Sequence, residues 1–422
     1  MTQVHTNTKQ TLPWTRRVAY NAQIRTIQAG LASLDWVTSF TKTSAHAPNI
    51  VKTYSVRHHL PVRIFLPSSY TAGSSETLPT LFTIHGGGFC IGASHDDDAW
   101  NRSFADNHSM LVIALNYSKA PAAPFPTGLD DLESLYQAAL DDESLPIDKA
   151  NGGRIAIGGF SAGGNLTLGL SQRLLRSSNC SCRPRAAISI YGALDLSQSP
   201  EQKVSTRQYK VDASLGPPRT STKDFLINMA PLFDWSYLPE GQDLQEPLLS
   251  PGPYASADDL PPHVFIIAAE LDMLAKESLD CATRLARARG GSGTSVMISA
   301  ETRCGQPQPG KFGELELNDR RFSWQESFAG GSVRWLLVPD VLHGFDSLPM
   351  RERVSGEQTR KDAELKTEAY SQIGDSGPVG VSTSSLAQGA LESSIRMPWK
   401  SPPLHFVSEN ARRVPVDLTA AR

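Results

Sequence analysis

A serine at position 161 lies in a pattern that can carry nucleophilic chemistry. Residues 159–163, Gly-Phe-Ser-Ala-Gly, follow a short β-branched run with Ile155 and Ile157, and a Leu-rich helical pattern comes after them. In such a strand–turn–helix unit, the sharp turn lifts the serine hydroxyl clear of both elements. Gly-x-Ser-x-Gly alone also fits an ordinary glycine turn, so the flanking strand and helix decide the interpretation. We predict Ser161 as the nucleophile.

A glycine-rich stretch precedes this serine by about 75 residues. Leu81–Ile84 reads as a buried strand, and His85 and three glycines follow it directly. Consecutive glycines after a strand let backbone N–H groups turn into a pocket, as stabilisation of a tetrahedral oxyanion requires. The predicted oxyanion hole consists of Gly86, Gly87, Gly88 and Ala162. We interpret His85 as a structural histidine that holds this loop.

Acidic side chains follow another predicted strand, His263–Ala269. A carboxylate just past the carboxyl end of a parallel strand is where a catalytic triad needs its acid. Asp272 is the candidate at this position, with Glu270 as its neighbour and rival. Asp195, which follows an earlier strand, is a further rival.

The two glycine motifs resemble the hormone-sensitive lipase branch of the α/β-hydrolase superfamily, which includes arylacetamide deacetylase and many microbial carboxylesterases. The resemblance covers roughly residues 50–375. It extends to Asn116–Pro121, Phe125-Pro126 and Asp130-Asp131, which are similar to the family's Tyr-x-x-Ala-Pro, Phe-Pro and Asp stretch. The resemblance implies an α/β-hydrolase fold with a mainly parallel central sheet, helices on both faces and a helical cap.

The resemblance also assigns the acid and the base. Asp272 matches the family's Asp-x-Leu pattern, which favours it over Glu270, and His343 opens a His-Gly-Phe sequence on the loop after the last predicted strand. A lone histidine would favour a structural role. Because Ser161, Asp272 and His343 occur in the chain order of α/β-hydrolases, we predict His343 as the catalytic base.

Strands alternate with helices along most of the chain. Met110–Leu115 is a continuous apolar run, as expected for a parallel strand buried on both faces. A helical pattern over Gly128–Leu140 follows it. This alternation implies right-handed crossovers and a mainly parallel sheet, independently of the resemblance.

The chain divides into three predicted parts. Residues 1–50 have apolar positions three and four apart, which predict one or two amphipathic helices. The resemblance implies that they form part of the cap, and packing against the sheet is the alternative. Residues 51–373 form the predicted catalytic domain, with an aromatic, Pro-punctuated cap insertion at 196–250 and an extra loop at 291–331. A plain connecting loop is the alternative for the insertion. Residues 374–422 are Gly/Ser-rich and aperiodic, which predicts a disordered tail.

Composition bears on the class of partner. The 422 residues contain 40 Lys and Arg against 43 Asp and Glu, a net charge of -3. No basic cluster indicates a nucleic-acid surface, so we predict a small-molecule partner and no nucleic acid. No apolar run approaches the roughly 18 residues of a transmembrane helix. We therefore expect no transmembrane segment and a soluble, cytoplasmic protein.

Two histidine-containing stretches invite a metal interpretation. His58 and His59 have no acidic or thiol partner nearby, and the carboxylates of His95–Asp98 fit the start of a helix. The five cysteines are an odd number, and no Cys/His spacing resembles a zinc site. We predict no metal, no cofactor and no disulfide framework.

These motifs predict a serine carboxylic-ester hydrolase, esterase- or lipase-like with deacetylation included, that acts on a small to medium apolar ester through an acyl-enzyme. An amide or formamide hydrolase, a lactonase and a thioesterase would use the same residues. A non-catalytic small-ligand receptor is the alternative of another class, against which the intact triad argues. Phe160 departs from the acidic residue that many relatives carry there, so no substrate is inferred from them. The oligomeric state is open, a homodimer included.

Overall fold

A central β-sheet is the frame of the molecule. The computed structural model describes residues 8–39, 46–150, 153–211, 217–291, 307–308 and 320–346. The strands within these residues are β1 (Ile50–Lys52), β2 (Val62–Phe65), β3 (Thr80–Ile84), β4 (Leu111–Leu115), β5 (Ile155–Phe160), β6 (Ala186–Ile190), β7 (Tyr209–Lys210), β8 (His263–Ala269), β9 (Pro307–Gln308), β10 (Ser323–Phe328) and β11 (Gly331–Val338). Nine of these described strands form one sheet in the order β1-β2-β4-β3-β5-β6-β8-β11-β10, and β7 pairs with β9 separately.

The middle of the sheet is parallel and its edges are antiparallel. Strands β4, β3, β5, β6, β8 and β11 run in one direction, each paired with its neighbour. The pairs β1–β2, β2–β4 and β10–β11 are antiparallel. Every residue of β3, β4, β5 and β6 is buried, as continuous apolar strands covered on both faces should be. The predicted mainly parallel sheet is confirmed.

Helices cover both faces of this sheet. The described helices are α1 (Trp14–Ser39), α2 (Asp98–His108), α3 (Thr127–Leu140), α4 (Ala162–Arg176), α5 (Pro200–Ser205), α6 (Pro217–Thr220), α7 (Ala230–Tyr237), α8 (Pro251–Tyr254) and α9 (Ala275–Ala288). Phe82 of β3 packs in a cluster with Leu132 of α3, whereas the neighbouring Leu81 packs in a cluster with Phe104 of α2. Since successive strand residues point to opposite faces, α2 and α3 lie on opposite sides of the sheet.

The segment predicted as an extra loop, 291–331, contains a strand. Ser323–Phe328 forms β10, which pairs with β11 at the edge of the sheet and puts Trp324 opposite Trp335. Both indoles are buried in one cluster with residues of β8 and α9, and this burial stabilises the extra strand. The loop prediction is therefore wrong for these residues. Residues 292–306 and 309–319 lie outside the described residues, as does the predicted tail, 374–422.

The N-terminal helix α1 contacts the insertion and the loop after β3. Its Tyr20 ring meets the Trp235 ring of α7 edge-on, with the centroids 5.8 Å apart. Ile24 is fully buried, and Gln28 Nε2 donates to the carbonyl oxygen of Cys90 at 2.8 Å. The described part of residues 1–50 thus holds one helix rather than two. None of the described helices combines the length and the apolar character needed to cross a membrane.

The described part of the insertion, 196–211 and 217–250, is built from short elements. It contains α5, β7, α6, a 3-10 turn at Phe225–Asn228 and α7. Proline lies at the first positions of α5 and α7, where it fits a helix start because no intrahelical N–H bond is lost. All described residues belong to one compact unit, Met1–Val381.

Candidate active site

Ser161 occupies a strained turn between β5 and α4. Its backbone has φ 54° and ψ −117°, a conformation that residues other than glycine rarely adopt. A Cβ atom on Gly163 would lie 2.1 Å from the carbonyl oxygen of Ile84, and one on Gly159 would lie 2.3 Å from that of Gly163. Both glycines are therefore required by close backbone approach. The Ser161 N–H donates to the carbonyl oxygen of Ile190 at 2.9 Å, which ties the turn to β6.

Three side chains from distant parts of the chain form a continuous hydrogen-bonded series. Ser161 Oγ lies 2.8 Å from His343 Nε2, and His343 Nδ1 lies 2.7 Å from Asp272 Oδ2. Ser161 follows β5, Asp272 follows β8 and His343 follows β11. Because parallel strands end at the same edge of a sheet, the fold brings these three loops together.

The chemistry of the partners determines where the protons lie. An ionised carboxylate only accepts hydrogen bonds, so His343 Nδ1 carries hydrogen and donates to Asp272. In the neutral imidazole Nε2 then accepts, and the Ser161 hydroxyl donates to it. This tautomer is the one in which an imidazole can take a proton from serine.

Asp272 is held in place by its own turn. It is 1% exposed, and its Oδ1 accepts from the N–H of Leu274 at 3.0 Å. The two rival acids make other contacts. Glu270 Oε2 accepts from the N–H of Asp340 at 2.8 Å, and Asp195 Oδ2 accepts from Gln198 Nε2 at 2.6 Å.

The surroundings of His343 favour its protonated form. Burial by itself would lower the pKa of the imidazole, but the charge and hydrogen bond of Asp272 outweigh it, and the charges of Asp224 and Asp346 add to them. The net result is a raised pKa for His343. An imidazole stabilised as imidazolium can store the serine proton during a reaction.

The glycine loop after β3 lies beside Ser161. A Cβ atom on Gly86 would lie 3.3 Å from Ser161 Cβ. Gly87 and Gly88 have positive φ angles of 108° and 56°, which L-amino acids with side chains adopt only at a cost. A Cβ on Gly88 would meet the ring of Phe233 at 2.3 Å, so an aromatic residue of the insertion covers this loop.

His85 anchors the base of the loop. It is buried, its Nδ1 lies 2.7 Å from the carbonyl oxygen of Gly86, and its Nε2 lies 3.0 Å from Lys119 Nζ. Burial lowers the pKa of His85 well below its usual range, with Lys119 contributing. Burial also lowers the pKa of Lys119 to about 7. These contacts, with the stacked ring of Tyr117, hold the loop as the sequence interpretation of His85 expected.

Ala162 begins α4 directly after Ser161. The first N–H groups of a helix have no acceptor within it, and the helix dipole makes this end positive. Gly164 and Asn165 donate to the carbonyl oxygen of Ser161, so an oxyanion formed at the serine would meet the Ala162 N–H together with N–H groups of the glycine loop.

The Phe160 side chain lies in the core. Its ring meets that of Trp100 edge-on, at 5.2 Å between centroids, and lies 6.2 Å from that of Tyr191. The residue that departs from the family pattern therefore packs under the turn, where an acidic side chain would need a polar partner.

Other polar clusters considered for metal binding make ordinary contacts. Asp98 pairs with Arg63 at the start of α2, and His59 Nε2 lies 3.3 Å from the hydroxyl of Ser118. Among the described residues, no three His, Cys, Asp or Glu side chains are arranged to hold a metal ion.

Comparisons with known proteins agree with this geometry. A family profile described as "alpha/beta hydrolase fold" matches residues 81–300, which is more than half of the chain. The chain belongs to the α/β-hydrolase fold family. The predicted resemblance to its hormone-sensitive lipase-like, carboxylesterase-type serine hydrolases is thereby confirmed.

Curated proteins similar to this chain include enzymes of an animal and an archaeon. Arylacetamide deacetylase of Bos taurus is 34% identical over 148 residues, which are 35% of this chain and 36% of the deacetylase. Arylesterase of Saccharolobus solfataricus is 29% identical over 231 residues, which are 54% of this chain and 67% of the arylesterase. The chain thus spans little more than a third of the length of the bovine deacetylase it matches.

Solved α/β-hydrolases share the fold. An esterase from the archaeon Pyrobaculum calidifontis aligns with a TM-score of 0.55 at 20% identity and covers 86% of this chain and 97% of its own. An α/β-hydrolase from the metagenome of Lake Arreo, Spain, aligns with a TM-score of 0.54 at 23% identity and covers 82% of this chain and 90% of its own.

Sequence reasoning missed several contacts around the α/β-hydrolase site. Asp224 and Arg207 of the insertion gave no motif or spacing signal, and Lys119 beneath the glycine loop lies at a variable position of the Tyr-x-x-Ala-Pro stretch. Phe233 was marked only by the aromatic character of the insertion. Each of these side chains contacts residues that are distant in the sequence, and local sequence patterns do not reveal such contacts.

Proposed function

We propose that the protein is a serine carboxylic-ester hydrolase that uses Ser161, His343 and Asp272 as its catalytic triad. The observation that carries this proposal is the hydrogen-bonded series from Ser161 Oγ through His343 to Asp272, at 2.8 Å and 2.7 Å. Family membership agrees with it.

The first half of the reaction is acylation. His343 Nε2 takes the Ser161 proton as the hydroxyl oxygen attacks the ester carbonyl. Asp272 holds the imidazole in the required tautomer and stabilises its positive charge. The imidazolium then donates its proton to the leaving alcohol, and an acyl-Ser161 remains.

Backbone N–H groups stabilise the tetrahedral oxyanion. The donors are those of the glycine loop, Gly86, Gly87 and Gly88, together with Ala162. The loss of one such donor costs about 3 kcal/mol of transition-state stabilisation. The strained Ser161 turn and the fixed glycine loop support this role, because donors that are already oriented need no reorganisation during the reaction.

Deacylation repeats the sequence with water. His343 takes a proton from a water molecule that attacks the acyl carbonyl, and returns it to Ser161 as the tetrahedral intermediate collapses. A carboxylic acid leaves, and the free serine is restored.

The insertion and the relatives support the proposed substrate class. Phe233 covers the glycine loop, and Phe89 of that loop stacks on Tyr237 of α7 at 3.8 Å between ring centroids. Phe233 is half-buried beside the glycine loop, and its ring supports our proposal of a small to medium apolar ester with a short acyl group; Phe89 and Tyr237 are buried against each other behind it. Similar proteins named arylesterase and ethyl acetate hydrolase support an ester, and arylacetamide deacetylase extends the proposal to acetyl groups.

The decisive experiment combines a fluorophosphonate probe with ester hydrolysis. We expect wild-type protein to be labelled and to hydrolyse p-nitrophenyl acetate and butyrate. Ser161→Ala should lose labelling and at least about 10³-fold of kcat, because no other group supplies the nucleophile. Ser178→Ala, at an exposed serine in the turn after α4, is the matched control and should behave as wild type.

Retention of hydrolysis by Ser161→Ala would contradict the proposal. Wild-type protein that neither reacts with the probe nor hydrolyses esters would favour the small-ligand receptor. A panel of amides, lactones and thioesters with the same acyl group separates the remaining hydrolase alternatives. The cytoplasmic location and the oligomeric state stay predictions.

A further inference from the structure

The insertion carries a buried ion pair next to the acid of the triad. Arg207 and Asp224 both have side chains that are 0% exposed, and Arg207 Nε lies 3.1 Å from Asp224 Oδ2. The guanidinium also donates to the carbonyl oxygen of Ser221. Such a pair is a weak source of stability, because desolvation of two charges offsets their attraction. Its position suggests another role.

Asp224 binds the backbone on which Asp272 is mounted. Its Oδ2 accepts from the N–H of Met273 at 3.0 Å, and its Oδ1 accepts from the N–H of Leu226 at 2.8 Å. Met273 lies between Asp272 and Leu274, whose N–H donates to the Asp272 carboxylate. The insertion therefore fixes the turn that orients the triad acid.

Other basic residues of the insertion bind the neighbouring loop that leads to His343. Lys210 Nζ lies 2.7 Å from Asp340 Oδ1 and 3.4 Å from Glu270 Oε2. Arg219 Nε donates to the carbonyl oxygen of Asp340 at 2.7 Å. The loops after β8 and β11 are thus tied both to each other and to the insertion.

We propose that Asp224 is a positioning residue of the triad: paired with Arg207, it holds the Asp272 turn in register with His343 and adds a second negative charge behind the imidazole. This inference rests on the proposed hydrolase function. It assigns part of the basicity of His343 to the insertion. The insertion is then a structural part of the triad as well as a cover over it.

The charges around His343 are consistent with this role. Asp272, Asp224 and Asp346 all favour the imidazolium, and the ring of Tyr191 packs against the imidazole edge-on at 4.9 Å between centroids. Burial and the charge of Asp272 raise the pKa of Asp224, while Leu226 N–H and Arg207 oppose that rise. Arg207 is the countercharge that lets two neighbouring carboxylates remain ionised together.

The test is the pH profile of Asp224→Asn, a variant of nearly the same shape. Hydrolysis requires neutral His343, so kcat/KM rises with pH through the pKa of that group. Removal of the Asp224 charge should lower this pKa and move the acid limb to lower pH by about 0.5 to 1 unit. Loss of positioning should also reduce the plateau of kcat/KM about tenfold, mainly through kcat.

A second buried ion pair, between Lys203 of the insertion and Glu277 of α9, gives the matched control. Lys203 Nζ lies 2.8 Å from Glu277 Oε2, with both side chains nearly as buried, and Glu277 Oε1 accepts from the N–H of Leu194 rather than from the Asp272 turn. Lys203→Met should lower thermal stability and leave the acid limb of the pH profile in place.

The double variant Arg207→Met/Asp224→Asn separates stability from positioning. It contains no unpaired buried charge, so its unfolding temperature should recover relative to Asp224→Asn. The acid limb of its kcat/KM profile should still lie at lower pH than that of wild type.

Two outcomes would overturn the inference. One is an Asp224→Asn protein with a wild-type acid limb and plateau, and the other is a Lys203→Met protein with the same shift as Asp224→Asn. Both require an active wild type that depends on Ser161. Failure of the proposed function would instead appear in the wild type and in Ser161→Ala.

Discussion

Individual backbone angles determine what the residues of the site can do. Ser161 is held at a positive φ by the close approach of Gly159 and Gly163 to their neighbours, a strain of about 1–3 kcal/mol that the surrounding structure must outweigh. Gly88 is also at positive φ, and the Phe233 ring leaves no room for a side chain there. The backbone that carries the Ser161 hydroxyl and the glycine loop is thus constrained by its own packing, as the proposed mechanism requires.

Substitution of Gly88 by alanine adds a single carbon atom and tests whether the conformation of the glycine loop matters for catalysis. The added Cβ would meet the Phe233 ring, so the ring or the loop must move, and we expect movement of the loop to displace the proposed oxyanion donors. We expect kcat for p-nitrophenyl butyrate to fall about 10²-fold, the scale of one lost oxyanion donor.

Gly73→Ala is the matched control. Gly73 has a similar positive φ of 82°, but nothing lies within 4 Å of its Cβ position. It should lose some stability through backbone strain and keep the wild-type kcat. An equal fall in kcat for Gly73→Ala and Gly88→Ala would show that backbone strain lowers kcat without the Phe233 contact.

At the residue scale, the sequence predicted the parts of the site whose residues are neighbours in the chain. The turn at Ser161 and the loop at His85–Gly88 are short motifs whose residues determine their own backbone. Asp272 and His343 needed the family pattern as well, since a lone acid or histidine after a strand has many uses. Asp224 could not be found, because its contact with Met273 joins residues 49 positions apart in an aperiodic segment.

At the scale of elements, α1 connects the insertion with the loop that follows β3. Its Tyr20 contacts Trp235 of α7, and its Gln28 donates to Cys90 and Ala120 beyond the glycine loop. Other apolar residues of α1, such as Trp14 and Leu34, are largely exposed. The helix is therefore held by few side chains, of which Ile24 is fully buried.

Ile24→Ala should weaken the attachment of α1. Removal of a fully buried isoleucine side chain costs about 2–5 kcal/mol where the helix unfolds together with the core. We expect a lower urea midpoint and faster proteolytic cleavage within α1. Val18→Ala, at a position that is 59% exposed, is the control and should change neither. An unchanged midpoint for Ile24→Ala, with cleavage still faster, would mean that α1 detaches on its own.

Elements were predicted well where burial imposes a pattern. The continuous apolar run at Met110–Leu115 and the helical spacing at Gly128–Leu140 both became the expected elements, within a residue at their starts. β10 was missed because it lies at an edge and its alternating exposed polar residues resemble a loop. All six of its residues pair with β11, and the burial of Trp324 opposite Trp335 anchors that pairing.

At the scale of the whole molecule, one sheet joins the core to the site. Trp324 and Trp335 at one edge share a cluster with β8, whose end carries Asp272. Because the strands are paired without interruption from β1 to β10, we expect the sheet and the active site to unfold in one transition.

Trp324→Ala tests this cooperativity. Truncation of a buried tryptophan costs about 3–5 kcal/mol. The thermal midpoints measured by far-UV circular dichroism and by residual ester hydrolysis should fall together. Gln325→Ala, at the exposed neighbouring position, should leave both in place. Separate midpoints in the Trp324 variant would show that this edge melts independently of the site.

The sheet order also has a consequence for synthesis of the chain. Ser161 and its glycine loop emerge from the ribosome early, whereas His343 follows the serine by 182 residues. Until β11 has been translated and has docked beside β8, the serine is an ordinary alcohol without a base. In the proposed mechanism a nascent chain therefore cannot be acylated by esters in its surroundings, and reactivity begins only when all described strands of the sheet have been translated.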